Sequence, residues 1–167
     1  MTKRSASGSP VDYKSLADFR YEIRRFLNFS EEAARQAGIE PHQHQALLAI
    51  KGFSNGQSAT IGVLAERLQI QHHSAVELVN RLERKGLIRR SRNERDRREV
   101  MISLTKQGER VLATLTLVHR AELRSAGPVL LRALNRVLSQ DGSGGKKGFE
   151  RWKNRRNTDD DGAMISL

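Results

Sequence analysis

A chain of 167 residues without cysteine has room for one domain with a proper core plus appendages, and it excludes disulfides and thiolate metal sites. Its net charge of +11 favours nucleic acid or an anionic membrane surface as a partner, because counterion release rewards a basic surface. No apolar run approaches the ~18 residues of a membrane span, and the first ten residues lack the apolar core of a signal peptide. We therefore expect a cytoplasmic protein.

The first predicted helices follow a polar lead-in. Residues 1–11 are small, polar and broken by Gly8 and Pro10, which predicts disorder. A helical stripe then predicts an amphipathic helix that ends at Gly38; its members are Tyr13, Leu16, Phe19, Ile23 and Phe26. Pro41 is tolerated in the first turn of a second helix, which ends at Gly52 and turns Ala46, Leu47 and Ile50 inward.

Two short helices come next. Thr60 is a predicted N-cap for the helix over 61–70, and Gly86 closes a second helix that starts at His72. The inward positions of the second helix are Ala75, Leu78, Val79 and Leu82. Two short amphipathic helices joined by about four residues predict a helix-turn-helix.

The stretch from Leu87 to Thr105 alternates in polarity at both ends, which predicts a β-hairpin. The expected inward residues are Leu87 or Ile88 on one strand and Val100, Ile102 and Leu104 on the other. Between them lies a basic run made of Arg89, Arg90, Arg92, Arg95, Arg97 and Arg98. Charge at this density is either solvated at an exposed tip or meets a polyanion.

Thr105 is the predicted cap of a long helix with apolar residues Val111, Leu115 and Val118, which we expect to break at Gly127-Pro128. A last helix ends near Ser139. Residues 139–167 form a glycine linker and a charged tail, which we predict to be disordered. Its basic residues around Trp152 could add nonspecific affinity for DNA, although an inert tail is the favoured interpretation. The predicted fold is mainly α with a small antiparallel β-hairpin.

A helix-turn-helix followed by a basic hairpin predicts a winged helix, spanning about residues 53–105. Its second helix can enter the major groove of DNA, and a hairpin arginine can enter the adjacent minor groove. The residues predicted to face DNA from this helix are His72, His73, Ser74, Val76, Glu77, Asn80 and Arg81. Asn80 is a candidate partner of adenine, Ser74 of base or phosphate, and Val76 of a thymine methyl.

Several linked motifs resemble the multiple antibiotic resistance regulator (MarR) family of bacterial transcription factors. They are Leu64-Ala65, Arg81-Leu82-Glu83, Gly86-Leu87-Ile88, Asp96-Arg97-Arg98, and Leu104-Thr105 with Gly108. The resemblance covers about residues 12–138 in layout, and its specific part is residues 60–108. A departure is Glu77, because the family often carries a basic residue there. Glu77 could accept a hydrogen bond from cytosine N4 or pair with Arg81.

The resemblance implies a homodimer held by helices over about 12–38 and 105–138, which binds a pseudo-palindromic operator in double-stranded DNA. It also implies a repressor that responds to a small-molecule effector. In the wing, Asp96 would brace Arg98, with Arg92 as a second candidate, and Arg95 or Arg97 would lie at the tip.

An effector pocket could draw on Tyr13, Phe19, His44 and Phe53, although aromatic residues at helical spacing more often belong to a core or dimer interface. A zinc regulator built on His42, His44 and His119 is a minor alternative. We find no arrangement typical of an enzyme and no indication of a cofactor. Two rival functions are nonspecific nucleic-acid binding and a protein-interaction module that has lost operator recognition, for which Glu77 is the hint.

Overall fold

The computed structural model describes residues 13–53, 59–92 and 100–139. Within these ranges the elements are α1 (Tyr13–Gln36), α2 (Pro41–Gly52), α3 (Ile61–Leu68), α4 (His72–Arg84), β1 (Ile88–Arg92), β2 (Val100–Leu104) and α5 (Lys106–Ser139). The mainly α fold with one antiparallel hairpin is as the sequence predicts. The lead-in, the tail beyond Ser139 and the tip of the hairpin lie outside the described residues, so their predicted disorder and contacts stay predictions.

The chain forms two compact units. The central unit comprises residues 24–127, and the terminal unit comprises residues 1–23 and 128–167. Helices α1 and α5 each contribute to both units. In the terminal unit, Lys14 donates to Asp18 at 2.8 Å, and Arg136 of α5 lies 4.0 Å from the same carboxylate.

The core of the central unit joins α1, α2, α3, α4, the hairpin and the first half of α5. Its largest fully buried side chains are Leu47, Leu64, Leu82, Leu115 and Val79. The expected inward residues of α2 and α4 are all buried. Packing of several amphipathic elements around one centre gives this unit a core of its own.

Left-handed residues end α1 and α4 as the sequence predicts. Gly38 has φ +76° and donates to Arg35, while Ile39 donates to Ala34. Gly86 has φ +69° and repeats this pair of hydrogen bonds at the end of α4. This Schellman geometry satisfies the last carbonyl groups of each helix and favours glycine at its turning point, because a positive φ strains a residue with a Cβ.

The predicted break at Gly127-Pro128 is wrong, because α5 runs without interruption and contains Pro128. Proline removes one helical hydrogen bond and crowds the residue before it, but Gly127 has no Cβ to meet the proline ring. None of the helices in the described ranges, α5 included, is long and apolar enough to cross a lipid bilayer.

The hairpin pairs Ile88 with Leu104 and Arg90 with Ile102 in antiparallel register. Leu87, Ile88 and Ile102 are buried and Leu104 is half-buried, but Val100 is 40% exposed, so its predicted inward placement is wrong. Val100 lies opposite Arg92 at the end of the paired strands, beyond the helices that bury Ile102.

Gly108 lies where the first turn of α5 passes the end of α4. A Cβ at this position would be 2.0 Å from the carbonyl oxygen of Leu87. Thr105 accepts a hydrogen bond from the Gly108 amide and donates one to the Gly86 carbonyl. The Leu-Thr-x-x-Gly motif therefore has a structural reason: its threonine caps α5, and its glycine allows the close approach to Leu87.

Candidate nucleic-acid interface

Helix α4 has one buried face and one exposed face. Ala75, Leu78, Val79 and Leu82 are each no more than 3% exposed. The exposed face carries all seven residues predicted to meet DNA: His72, His73, Glu77, Asn80 and Arg81 are exposed, and Ser74 and Val76 are half-buried. The buried stripe fixes the rotation of the helix, so the polar row is presented in one orientation.

The turn between α3 and α4 sets the crossing of the two helices. Thr60 caps α3 by accepting from the Val63 amide at 3.3 Å, as predicted. Helix α3 ends at Leu68, two residues before the predicted end, because Gln69 adopts a left-handed conformation with φ 55°. Ile70 then donates to Ala65, and α4 begins at His72.

The hairpin is attached to the residues that precede α3. Ile102 donates to the Ala59 carbonyl at 2.8 Å, and Thr60 forms an isolated bridge with Met101. This contact cannot be predicted from the sequence, because a single bridging residue leaves no periodic pattern. It ties the wing to the start of the helix-turn-helix.

The basic run of the hairpin divides into residues with different environments. Arg92 is exposed, and Arg89 donates to Ser103 on the neighbouring strand at 3.1 Å. The predicted wing residues Arg95, Asp96, Arg97 and Arg98 lie outside the described residues, so the bracing of Arg98 by Asp96 stays a prediction.

Arg90 behaves differently from the rest of the run, because it turns toward α4. Its Nη1 lies 3.0 Å from Glu83 Oε2, and its Nη2 donates to Asn80 Oδ1 at 2.5 Å. The sequence pattern places Arg90 within the basic run and does not distinguish it from the residues expected to meet a polyanion. The missed signal is the spacing of Asn80 and Glu83, which lie three residues apart and therefore on one side of α4.

Glu77 is exposed on α4, and the structure forms no ion pair between Glu77 and Arg81, both of which it describes. The interpretation of Glu77 as a partner of Arg81 is therefore wrong for this structure. Its carboxylate faces solvent on the same surface as His73 and Asn80.

A pair of histidines lies in the central unit. The rings of His44 and His119 are 4.7 Å apart, with Phe26 and Phe29 edge-on to His119. The Leu115 carbonyl accepts from His119 Nδ1, and Ser30 Oγ lies 2.7 Å from Nε2. Burial, followed by the charge of His119, lowers the pKa of His44.

The residues proposed for zinc and for an effector pocket have separate surroundings. His44 lies beside His119, but His42 is exposed, and the described residues contain no group of three or more suitable metal ligands. Tyr13 is exposed and Phe19 half-buried in the terminal unit. In the central unit, the guanidinium of Arg67 lies over Phe53, beside a cavity of about 430 Å³.

Taken together, a helix-turn-helix, a polar recognition helix and an attached antiparallel hairpin define a winged-helix protein. The sequence model described as MarR family matches residues 37–99. The transcriptional activatory protein BadR of Rhodopseudomonas palustris is 30% identical over 119 residues, which cover 68% of each chain. On this evidence the chain belongs to the MarR family.

Other relatives match over shorter segments. The HTH-type transcriptional repressor MdtR of Bacillus subtilis is 32% identical over 78 residues, covering 47% of this chain and 48% of MdtR. The chain thus spans about half the length of such relatives. The crystal structure of MepR, a transcription regulator of the Staphylococcus aureus multidrug efflux pump MepA, has a TM-score of 0.60 at 19% identity, covering 89% of this chain and 98% of MepR. That similarity concerns the fold.

Proposed function

We propose that the protein is a transcription regulator of the cytoplasm that binds double-stranded DNA in a sequence-specific manner. The observation that carries the proposal is the exposed polar face of α4, held in one orientation by a fully buried face. A helix of this kind fits the major groove, where side chains reach base edges. The net charge of +11 adds attraction to the phosphate backbone.

The hairpin supplies the second part of the proposed interface. Arg92 is exposed beside α4, and Arg95, Arg97 and Arg98 follow it in the chain. In the proposal these side chains bind phosphates and the minor groove, with Asp96 bracing Arg98. The high density of arginines in the hairpin is then explained by contact with DNA rather than by exposure to solvent.

A homodimer forms the proposed functional unit. Helices α1 and α5 expose many large apolar side chains in a single chain: Tyr13, Leu16, Tyr21, Leu27, Leu117, Val118, Leu123, Leu131 and Leu138. Exposure of so much apolar surface on two helices favours burial against a second copy. Two copies related by a two-fold axis would place two α4 helices on one pseudo-palindromic operator.

The most specific part of the proposal is a response to a small-molecule ligand. A small-molecule effector would act by shifting the population of dimers whose α4 helices match the operator spacing. Of the residues predicted for the pocket, His44 has the environment that best supports a role, because it is buried and its ring lies 4.7 Å from that of His119. Repression is the expected outcome and is the named role of MdtR, whereas BadR is named an activatory protein.

Footprinting and binding to duplex DNA test the proposal. We expect the protein to protect a palindrome in genomic fragments and to bind that duplex more tightly than a scrambled one, by about 1000-fold or more. Arg81→Glu, on the exposed face of α4, should abolish the difference between the two duplexes. Arg124→Glu, on the exposed side of α5, changes the net charge equally and should keep that difference.

A protein-interaction module is the second candidate, favoured by the exposed carboxylate of Glu77 on α4. It predicts no retarded fragment at low salt. A nonspecific nucleic-acid binder predicts retardation of every duplex with no protected palindrome. Either pattern would contradict operator recognition.

A further inference from the structure

Arg90 is a residue of β1, and its side chain extends to the side of α4 that carries Asn80. Its side chain is 29% exposed, and its buried Nε has no hydrogen-bond partner among the described residues, so the guanidinium reaches its partners on α4 through its terminal nitrogens. One of these binds Glu83 and the other binds Asn80. Both partners belong to α4, so Arg90 joins the wing to the recognition helix.

This contact fixes which atom of the Asn80 amide turns toward the protein. Arginine carries only donors, so the atom that faces it must be the carbonyl oxygen and not the amide nitrogen. Arg90 on β1 binds one lone pair of Oδ1, and the NH₂ of Asn80 has no hydrogen-bond partner among the described residues. Asn80 is exposed at this position of α4.

A bidentate contact with adenine requires more than that NH₂. The asparagine oxygen must accept from adenine N6 while its nitrogen donates to N7. A donor alone needs only an acceptor, and N7 is present on adenine and on guanine alike. Guanine O6 and thymine O4 are further acceptors in the major groove, so the state of Asn80 in the structure fits a base with such an acceptor and does not separate adenine from guanine.

We propose that Arg90 is a positioning residue that sets base preference through Asn80, so that Asn80 accepts adenine and guanine at its operator position. The inference rests on the proposed function of α4 in DNA recognition. It replaces the expectation that Asn80 selects adenine. In this proposal Arg90 of the wing determines which bases Asn80 of α4 can bind.

The bond itself is tested without DNA. A double-mutant cycle combines Arg90→Met with Asn80→Ala and measures urea unfolding of the full chain. We expect the paired changes to be coupled by about twofold or more in the unfolding equilibrium constant, as for partly exposed charged hydrogen bonds. Arg89→Met, from the same strand, should show no coupling with Asn80→Ala, because Arg89 bonds to Ser103. Absence of coupling for Arg90 overturns the inference whatever the protein binds.

Base preference is tested by selecting the strongest duplex from a random library and then varying each position. The position read by Asn80 is the one at which Asn80→Ala loses its preference. The wild-type protein should bind adenine and guanine there within about twofold, and Arg90→Met should favour adenine by about fivefold or more. Arg89→Met should lower affinity through the same loss of charge and leave this ratio unchanged.

Three further outcomes would overturn the inference. An unchanged ratio in Arg90→Met overturns the inference while leaving the proposed function intact. A changed ratio that persists when Asn80 is alanine shows that Arg90 acts on DNA directly and also overturns it. If the wild-type protein selects no sequence, the proposed function fails first, and the inference on base preference fails with it.

Discussion

The central and terminal units differ in how much of their apolar surface is buried within one chain. The central unit buries apolar residues from seven elements, including Leu47, Leu64 and Leu82 with no exposed surface. In the described part of the terminal unit, Ala133 is the sole buried apolar residue, while Leu131 and Leu138 are more than half exposed. The ion pairs of Asp18 in the terminal unit are exposed and contribute little.

The contrast separates residues that fold one chain from residues that need a second one. A winged helix with its own core can hold α4 in place by itself. Within the described residues, α1 and α5 leave many of their leucines exposed, which is the pattern expected of a dimer interface cut in half. Stability should therefore depend on the core of the central unit, and assembly on the exposed apolar surface of α1 and α5, to which both units contribute.

The largest expected effect is on assembly. Leu131→Glu places a charge on the exposed apolar surface of α5 and should convert the proposed dimer to a monomer in sedimentation experiments. Operator affinity should fall by about 100-fold or more, because the two recognition helices no longer bind as one unit. The circular dichroism of the helices should remain that of a folded protein.

Arg132→Gln is the matched control for that change, because Arg132 is an exposed polar residue about 100° around α5 from Leu131. It changes the net charge by the same amount and should leave the proposed dimer intact. Equal dissociation by both variants would point to general repulsion, and a dimeric Leu131→Glu variant would remove the assembly role of this surface.

The second effect concerns the central unit alone. Gly108→Ala should lower the free energy of unfolding by about 3 kcal/mol, because its Cβ would meet the backbone of Leu87, which cannot move aside as a flexible side chain could. Urea denaturation measures the loss. Gly62→Ala, in α3 with nothing within 4 Å of the new Cβ, should instead be neutral or stabilising by up to about 1 kcal/mol. Similar losses in the two variants would argue against the close approach to Leu87.

Most helices of the central unit could be predicted from the sequence. Apolar periodicity indicates which helix faces are buried, and capping residues mark the helix ends. Thr60, Gly38 and Gly86 lie at helix ends as expected, and Leu78 and Val79 are buried. The uninterrupted course of α5 through Pro128 was not predicted, since the effect of a proline depends on the residue before it and on the surrounding helices.

The sequence predicts which residues form the exposed face of the candidate site, but it does not predict which contacts they make with one another. The exposed face of α4 follows from the position of its apolar stripe. Arg90 could not be separated from its neighbours in the basic run, because its partners are on another element and its direction depends on the register of β1 against β2. Charge composition gives the sign of a surface but not the pairing of individual side chains.

A smaller effect is expected from the histidine pair of the central unit. The folded-state pKa of His44 is lowered from 6.5, so the unfolded chain binds more protons as the pH falls below that value. Stability should therefore decrease from about pH 7 downward until the folded-state pKa is passed. His44→Gln should flatten this dependence in urea titrations at several pH values.

His42→Gln provides the comparison for His44, because His42 is an exposed histidine on the same helix. That variant should retain the wild-type loss of stability in acid. If the two variants show the same slope, the buried environment of His44 does not govern the pH dependence.

The smallest effect tests whether the two units are independent. Gln69 ends α3 with a positive φ, a conformation that costs a residue with a Cβ about 1 kcal/mol and costs glycine much less. Gln69→Gly should therefore raise the free energy of unfolding by about 0.5 kcal/mol, after the greater flexibility of glycine in the unfolded chain is subtracted. Because Gln69 and Leu131 belong to different units, the same gain should appear when Gln69→Gly is combined with Leu131→Glu. A gain confined to the dimer would show that the central unit takes its stability from assembly, contrary to the division inferred from burial.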